Sequence, residues 1–135
     1  YLTEFVKASN LDIEFIGLPS EEIPLETASM DTVLITFTMC TIPDIEKALL
    51  EMRRVLKPNG RLLFAEHGKS PDLSVSRWQD RLNEPWGKCF GGCNLNRHIP
   101  TLLTSAGFKI SDLNQEYGRN TLKFIGYFYR GTASL

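Results

Sequence analysis

Residues 30–68 read MDTVLITFTMCTIPDIEKALLEMRRVLKPNGRLLFAEHG, and this stretch decides the fold. Residues 31–37 form an apolar and β-branched run, typical of a strand covered on both faces, and residues 61–65 predict a second buried strand. Apolar side chains at helical spacing predict one helix between them, with a single buried stripe: Ile45, Ala48, Leu49, Met52, Val55 and Leu56. Pro58-Asn59-Gly60 is expected to end this helix and to turn the chain into the second strand.

This order of elements predicts two parallel strands joined by a helix. In an open α/β sheet, ligands bind at the carboxyl ends of parallel strands. The residues that follow the two predicted strands, 36–40 and 66–68, are therefore the first candidates for a functional site.

Three motifs in this stretch resemble the second half of class I S-adenosylmethionine-dependent methyltransferases. They are DTV at residues 31–33, TIPD at 41–44 and LEMRRVLKPNGRLL at 50–63, which follow one another at the family's spacing. Asn59 replaces the first glycine of the family's usual pair, a mild change because Asn also tolerates left-handed backbone geometry. The resemblance extends over residues 12–129. Glu66-His67, Gly92-Cys93-x-Leu95 and Ala106-Gly107-Phe108 resemble most closely the small-molecule and lipid-type members.

The resemblance implies the α/β class and a partial Rossmann-like methyltransferase fold. That fold has a mostly parallel sheet with an antiparallel C-terminal hairpin, helices on both faces and strand order 3-2-1-4-5-7-6. The family's glycine-rich turn and the acidic residue after its second strand are absent from this sequence. We therefore expect residues 1–135 to form a single domain that is the C-terminal part of a methyltransferase domain. Tyr1 then falls in the helix before the family's third strand, and residues 12–16 form that strand.

The implied strand order leaves the strand at residues 31–37 with an unpaired edge. An exposed apolar edge promotes association. We expect either that residues 12–16 pair directly with this edge or that two chains form a homodimer through it.

The resemblance also implies S-adenosylmethionine as the cofactor. The sequence GLPSEEIP at residues 17–24 matches the end of the family's adenine-binding loop, but Pro19 stands where that loop has an acidic residue. Adenine recognition is then expected from Ser20, through its N–H or hydroxyl, and from Glu21. Thr36, Phe37 and Thr38 match positions that flank the methionine and adenosine parts of the cofactor, although they are equally compatible with ordinary strand ends.

His67 and Glu66 are the predicted catalytic residues, because both follow a strand at the ligand-binding edge. A general base is needed only if the methyl acceptor must lose a proton, and an imidazole titrates near neutral pH. Adjacent strand residues point to opposite faces, so at most one of the two side chains faces the cleft.

Residues 69–93 are rich in aromatic residues and are predicted to form a lid over a hydrophobic substrate. A short helix carrying Trp78 is expected to end at Pro85, and Trp78, Trp86 and Phe90 are the predicted substrate-binding residues. The alternative is that both tryptophans simply cover the core.

The rest of the chain predicts a helix over residues 97–106, capped by Asn96 and ended by Gly107. A strand beginning at Phe108 and another over residues 122–129 are expected to form the antiparallel hairpin.

The three cysteines, Cys40, Cys89 and Cys93, favour a reducing compartment and hence a cytoplasmic location, since an odd count argues against a disulfide framework. Cys89, Cys93 and His98 have a spacing that matches zinc motifs poorly, so no metal site is predicted.

Composition excludes several partner classes. The formal charge of −1 gives no basis for nucleic-acid binding, and no apolar run approaches the roughly 20 residues needed to cross a bilayer. Two hypotheses remain. The first is methyl transfer to a small-molecule or lipid-like substrate by an enzyme of which this chain is one part. The second is a non-catalytic, self-associating α/β module that does not bind the cofactor.

Overall fold

The computed structural model describes residues 12–14, 16 and 19–135, which form a four-stranded sheet with three helices. The elements are β1 (Met30–Thr36), α1 (Ile45–Val55), β2 (Leu56–His67), α2 (Leu73–Cys89), α3 (Ile99–Ser105), β3 (Lys109–Tyr117) and β4 (Tyr127–Ser134). The strand order is β1-β2-β4-β3, with β1 parallel to β2 and β4 antiparallel to both of its neighbours. This order corresponds to strands 4-5-7-6 of the predicted fold. The α/β class and the antiparallel C-terminal hairpin are confirmed.

The predicted strand, helix, strand unit is also confirmed. Val33 of β1 lies opposite Leu62 of β2 in parallel register. Asp44 caps α1, since its side chain accepts the Lys47 N–H at 3.0 Å. The predicted turn at residues 58–60 is instead a bulge within β2. Met30 pairs with Leu56 and Thr32 pairs with Arg61, so β2 advances by five residues where β1 advances by two.

The core lies between the sheet and the helices α1 and α3. A single cluster joins side chains from these elements, including Ile35, Leu49, Met52, Phe64, Leu103 and Tyr129. The segment before β1 is attached to α1 by Arg54, which donates to the carbonyl oxygens of Ile23 (2.8 Å) and Leu25 (2.9 Å) and pairs with Glu51 at 2.7 Å.

β1 differs from its prediction, because the structure covers only one of its faces within the described residues. Ile35 is buried, whereas Leu34 on the other face is 67% exposed. Residues 12–14 and 16 form no strand, and β2 is the only strand that pairs with β1 in the described part of the chain. Without a hydrogen-bonded neighbour, an isolated extended segment is not stable. Residues 1–11 and 15, on which the predicted N-terminal helix and part of that strand fall, lie outside the described residues.

α2 also differs from its prediction, since it continues through Pro85 to Cys89. Proline lacks the N–H that would bond to the preceding turn. Aromatic contacts beyond it favour the continued helix: Trp86 stacks on Phe90 with 3.9 Å between ring centroids and contacts Phe124 edge-on with 5.9 Å between ring centroids. Tertiary and local packing here outweigh the helix-breaking tendency of one residue.

Two predicted boundaries near the C-terminus are wrong. The cap of α3 is His98, whose Nδ1 accepts the Thr101 N–H, whereas Asn96 donates to Asp80. Residues 122–126 form a turn closed by a bond from the Gly126 N–H to the Leu122 carbonyl (2.9 Å), so β4 begins five residues later than expected. Gly107 follows the end of α3 with a φ of 88°, as predicted for a helix stop. None of the helices in residues 19–135 has the length and apolar character required to span a bilayer.

Candidate functional site

Glu66 organises the carboxyl edge of β1 and β2. Its side chain is fully buried, and its carboxylate accepts the Thr38 N–H on both oxygens (2.9 and 3.1 Å) and the Met39 N–H at 3.1 Å. Burial raises the pKa of Glu66, and these backbone bonds oppose that shift. Glu66 therefore holds the loop that follows β1, in a position adjacent to His67.

Phe37 and Thr38, two of the predicted cofactor-binding residues, lie in this loop, and Thr36 ends β1. Phe37 has a left-handed φ of 49°, is 59% exposed, and contacts Phe128 edge-on with 5.9 Å between ring centroids. The Thr38 hydroxyl donates to the Thr36 carbonyl at 2.7 Å. A cavity of about 340 Å³ opens beside them, lined by Phe37, Ala65, Glu66, Glu116, Gly118, Phe128 and Arg130. An open, partly apolar cavity at the ends of parallel strands is where this fold class binds its ligands.

Ser20 and Glu21 lie in a different place. Ser20 lines a smaller cavity of about 190 Å³ with Ile16, Pro19, Ile23, Pro24, Val33 and Met52. One Glu21 carboxylate oxygen lies 3.4 Å from the Asp44 amide nitrogen, a long hydrogen bond. The structure thus groups Thr36, Phe37 and Thr38 with Glu66 and places Ser20 in a separate cavity.

His67 faces the cysteines rather than the Glu66 carboxylate. Its Nε2 lies 3.2 Å from the Cys93 Sγ, and its buried Nδ1 has no hydrogen-bond partner in the described structure. Burial lowers the pKa of His67 and raises the pKa of Cys40 to about 11. The ligand atoms of Cys40, His67 and Cys93 all lie within 4.8 Å of one another.

Two residues that were not predicted from the sequence hold the loops of these cysteines together through hydrogen bonds. Asn94 donates to the Cys40 carbonyl twice, from its backbone N–H (2.8 Å) and from its side-chain Nδ2 (2.9 Å). Arg97 donates to the carbonyls of Met39 and Ile42, the latter at 2.8 Å. The only signal for these roles in the sequence is their position just after Cys93.

The three predicted substrate-binding aromatic residues lie in α2 or at its C-terminal end, but they do not line a common cavity. Trp78 is 57% exposed and lines a cavity of about 360 Å³ with Val75, Leu82, Lys123 and Phe124. Trp86 packs between Phe90 and Phe124, with its buried Nε1 lacking a partner among the described residues. Trp78 therefore contributes to an open apolar groove, whereas Trp86 belongs to an aromatic stack.

Gln79, also missed from the sequence, attaches α2 to the sheet. It is fully buried, accepts the Ser70 N–H at 2.8 Å, and donates to the carbonyls of Gly68 and Phe124, each at 3.0 Å. The first half of α2 is thereby fixed to the end of β2 and to the turn before β4.

Comparison with known proteins agrees with this geometry. Residues 2–64 match the family model described as a methyltransferase domain. The thiol S-methyltransferase TMT1B of Homo sapiens is 34% identical over 113 residues, which are 82% of this chain and 46% of that protein. The chain belongs to the class I S-adenosylmethionine-dependent methyltransferase family.

Two further comparisons, one of sequence and one of fold, agree with this. The ubiquinone/menaquinone biosynthesis C-methyltransferase UbiE of Brucella canis is 46% identical over 85 residues, which are 60% of this chain and 32% of the relative. The crystal structure of the methyltransferase CalH, in complex with S-adenosylhomocysteine, superposes with a TM-score of 0.66 at 18% identity, over 99% of this chain and 38% of that one. The chain thus spans less than half the length of the relatives TMT1B and UbiE.

Proposed function

We propose that the intact protein transfers a methyl group from S-adenosylmethionine to a small-molecule or lipid-like acceptor, and that this chain supplies the acceptor side and part of the cofactor cleft. The observation that carries this proposal is the cavity beside Phe37, at the carboxyl ends of β1 and β2. Relatives named as a thiol S-methyltransferase and as a ubiquinone/menaquinone biosynthesis C-methyltransferase support an acceptor of this class.

The proposed roles follow from the positions of the residues in the fold. Methyl transfer from a sulfonium is an in-line displacement, so the protein must mainly align acceptor and donor and exclude water. Phe37 and Thr38 contact the cofactor, and Glu66 fixes their loop through its bonds to Thr38 and Met39. The apolar groove beside Trp78 receives the acceptor's hydrophobic part. Ser20 and Glu21 stay predicted adenine contacts, and Trp86 and Phe90 stay predicted acceptor contacts.

Calorimetric titration with S-adenosylhomocysteine tests the cofactor site. Micromolar binding by this chain supports the proposal. Burying a phenyl group against the ligand contributes roughly 1.5–3 kcal/mol, so Phe37→Ala should weaken S-adenosylhomocysteine binding about 10- to 150-fold. Leu50→Ala is the matched control, because Leu50 is a similarly exposed apolar residue (54%) on α1. Equal effects of the two substitutions would contradict the assignment.

The alternative is a self-associating α/β module without cofactor affinity. Among the described residues β1 pairs with β2 alone, so its other edge is unpaired and favours a homodimer through that edge; Leu34, 67% exposed, lies on the uncovered face beside it. Absence of heat with S-adenosylhomocysteine, together with a dimer in light scattering, would support this alternative. A monomer that binds the cofactor would exclude it.

A further inference from the structure

We propose that Cys40, His67 and Cys93 form a binding site for a soft divalent metal ion, for which zinc is the best fit, with three protein ligands and a fourth position open to an exogenous ligand. Cys40 follows β1, His67 is the last residue of β2 and Cys93 follows α2, and the three side chains meet at the carboxyl edge of the sheet. This inference is independent of the proposed cofactor site.

The donor set and its distances fit zinc. Two sulfurs and one imidazole nitrogen are ligands that zinc prefers, and three protein ligands with an open fourth position are typical of catalytic zinc sites. With Zn–S near 2.3 Å and Zn–N near 2.0–2.1 Å, tetrahedral ligands lie about 3.5–3.8 Å apart. The His67 Nε2 is already 3.2 Å from the Cys93 Sγ, and all three ligand atoms lie within 4.8 Å of one another. Side-chain shifts of about 1 Å therefore complete the site.

The backbone around the cluster is held in place before any metal binds. Two of the hydrogen bonds that Asn94 donates end on the Cys40 carbonyl, and a third goes to the Gly92 carbonyl, so Asn94 joins the loop of Cys93 to the loop of Cys40. Arg97 bonds the carbonyls of Met39 and Ile42 on either side of Cys40. Preorganisation of this kind lowers the cost of ordering the ligands on binding.

The charges also balance. Each cysteine loses its thiol proton to solvent when the metal binds, so the ion's two positive charges are matched by two thiolates, and His67 stays neutral. A ring nitrogen that ligates a metal cannot also accept a proton from a substrate, so this site replaces the general-base role predicted for His67.

Sequence spacing alone hides this cluster. The zinc pattern suggested by the sequence joins Cys89, Cys93 and His98, but Cys89 is exposed and the His98 Nδ1 bonds to Thr101. Only Cys93 is common to both sets.

Titration of the reduced, metal-free chain with Zn²⁺, and with Co²⁺ as a spectroscopic probe, tests the proposal. We expect one ion per chain and thiolate-to-cobalt charge-transfer absorption. Cys40→Ser and Cys93→Ser should each weaken Zn²⁺ binding by more than about a hundredfold, the upper end of what loss of an outer-shell partner costs. Cys89→Ser and His98→Asn are the matched controls and should leave binding unchanged, since Asn keeps the helix cap.

A second measurement needs no variants and covers the case in which Cys40→Ser fails to fold. Alkylation of the wild-type chain followed by peptide mapping should show that Zn²⁺ protects the half-buried Cys93 and leaves the exposed Cys89 reactive, whereas the buried Cys40 reacts slowly with or without the metal. Absence of zinc binding, protection of Cys89, or loss of the Cys40 and Cys93 thiols as a disulfide under reducing conditions would each overturn the proposal. None of these outcomes depends on S-adenosylhomocysteine, so they are separable from failure of the proposed function.

Discussion

Replacement of Gln79 by leucine should be among the most destabilising single changes in this chain. Leucine has a similar volume, so the substitution removes polar bonds with little change in packing. The side chain of Gln79 makes three hydrogen bonds to backbone groups of Gly68, Ser70 and Phe124. At a net 0.5–1.5 kcal/mol each, their loss should lower the free energy of unfolding by about 1.5–4.5 kcal/mol, and more if the backbone groups stay unpaired.

Urea denaturation at neutral pH measures this loss. Gln115→Leu is the matched control, because Gln115 lies on β3 and is exposed, and it should change the free energy of unfolding by less than about 0.5 kcal/mol. If Gln79→Leu changes stability no more than Gln115→Leu does, the attachment of α2 through Gln79 is wrong.

Three further changes test other features. Hydrogen bonds from the Arg54 side chain and, to a smaller extent, from the Ile23 N–H lower the pKa of Glu51 from 4.5 to about 2. The ionised Glu51 therefore stabilises the fold above pH 4.5, and this stabilisation is lost as the pH falls toward 2. Glu51→Gln should flatten the curve of unfolding free energy against pH between these two values. Pro85→Ala should raise the free energy of unfolding by up to about 3 kcal/mol, because it restores an N–H within α2, and an unchanged melting temperature would contradict this. Leu34→Lys should convert any dimer to monomer in analytical ultracentrifugation while leaving the far-ultraviolet circular dichroism unchanged.

The elements that the sequence predicted well are those whose signals are local. The α1 stripe and the apolar runs on either side of it specify a helix between two strands, and the family motifs add the sheet order. α2 shows where local signals fail. Pro85 predicts an end to the helix, but aromatic contacts made by Trp86 with Phe90 and Phe124 keep the helix intact. Such contacts depend on the tertiary structure, which the helix propensity of a single residue does not encode.

The candidate site was only partly predictable for the same reason. Glu66 and His67 could be found because they directly follow the strand predicted over residues 61–65. The pleat of a strand also predicts that their side chains point in opposite directions, but the residues that each side chain contacts could not be predicted from the sequence. Cys40 and Cys93 lie close together but in loops far apart in the sequence, and no sequence pattern predicts the hydrogen bonds from Asn94 that join these loops.

The position of β4 has a consequence for biosynthesis. The strand β4, the last one within residues 19–135, pairs with both β2 and β3, so it lies in the interior of the sheet. A nascent chain leaving the ribosome can assemble the β1 and β2 ladder early, but the one partner of β3 within residues 19–135 is β4, so β3 stays unpaired until residues 127–134 have been synthesised. A premature stop codon before Tyr127 would therefore split the sheet in two, whereas shortening an outer strand would only trim it.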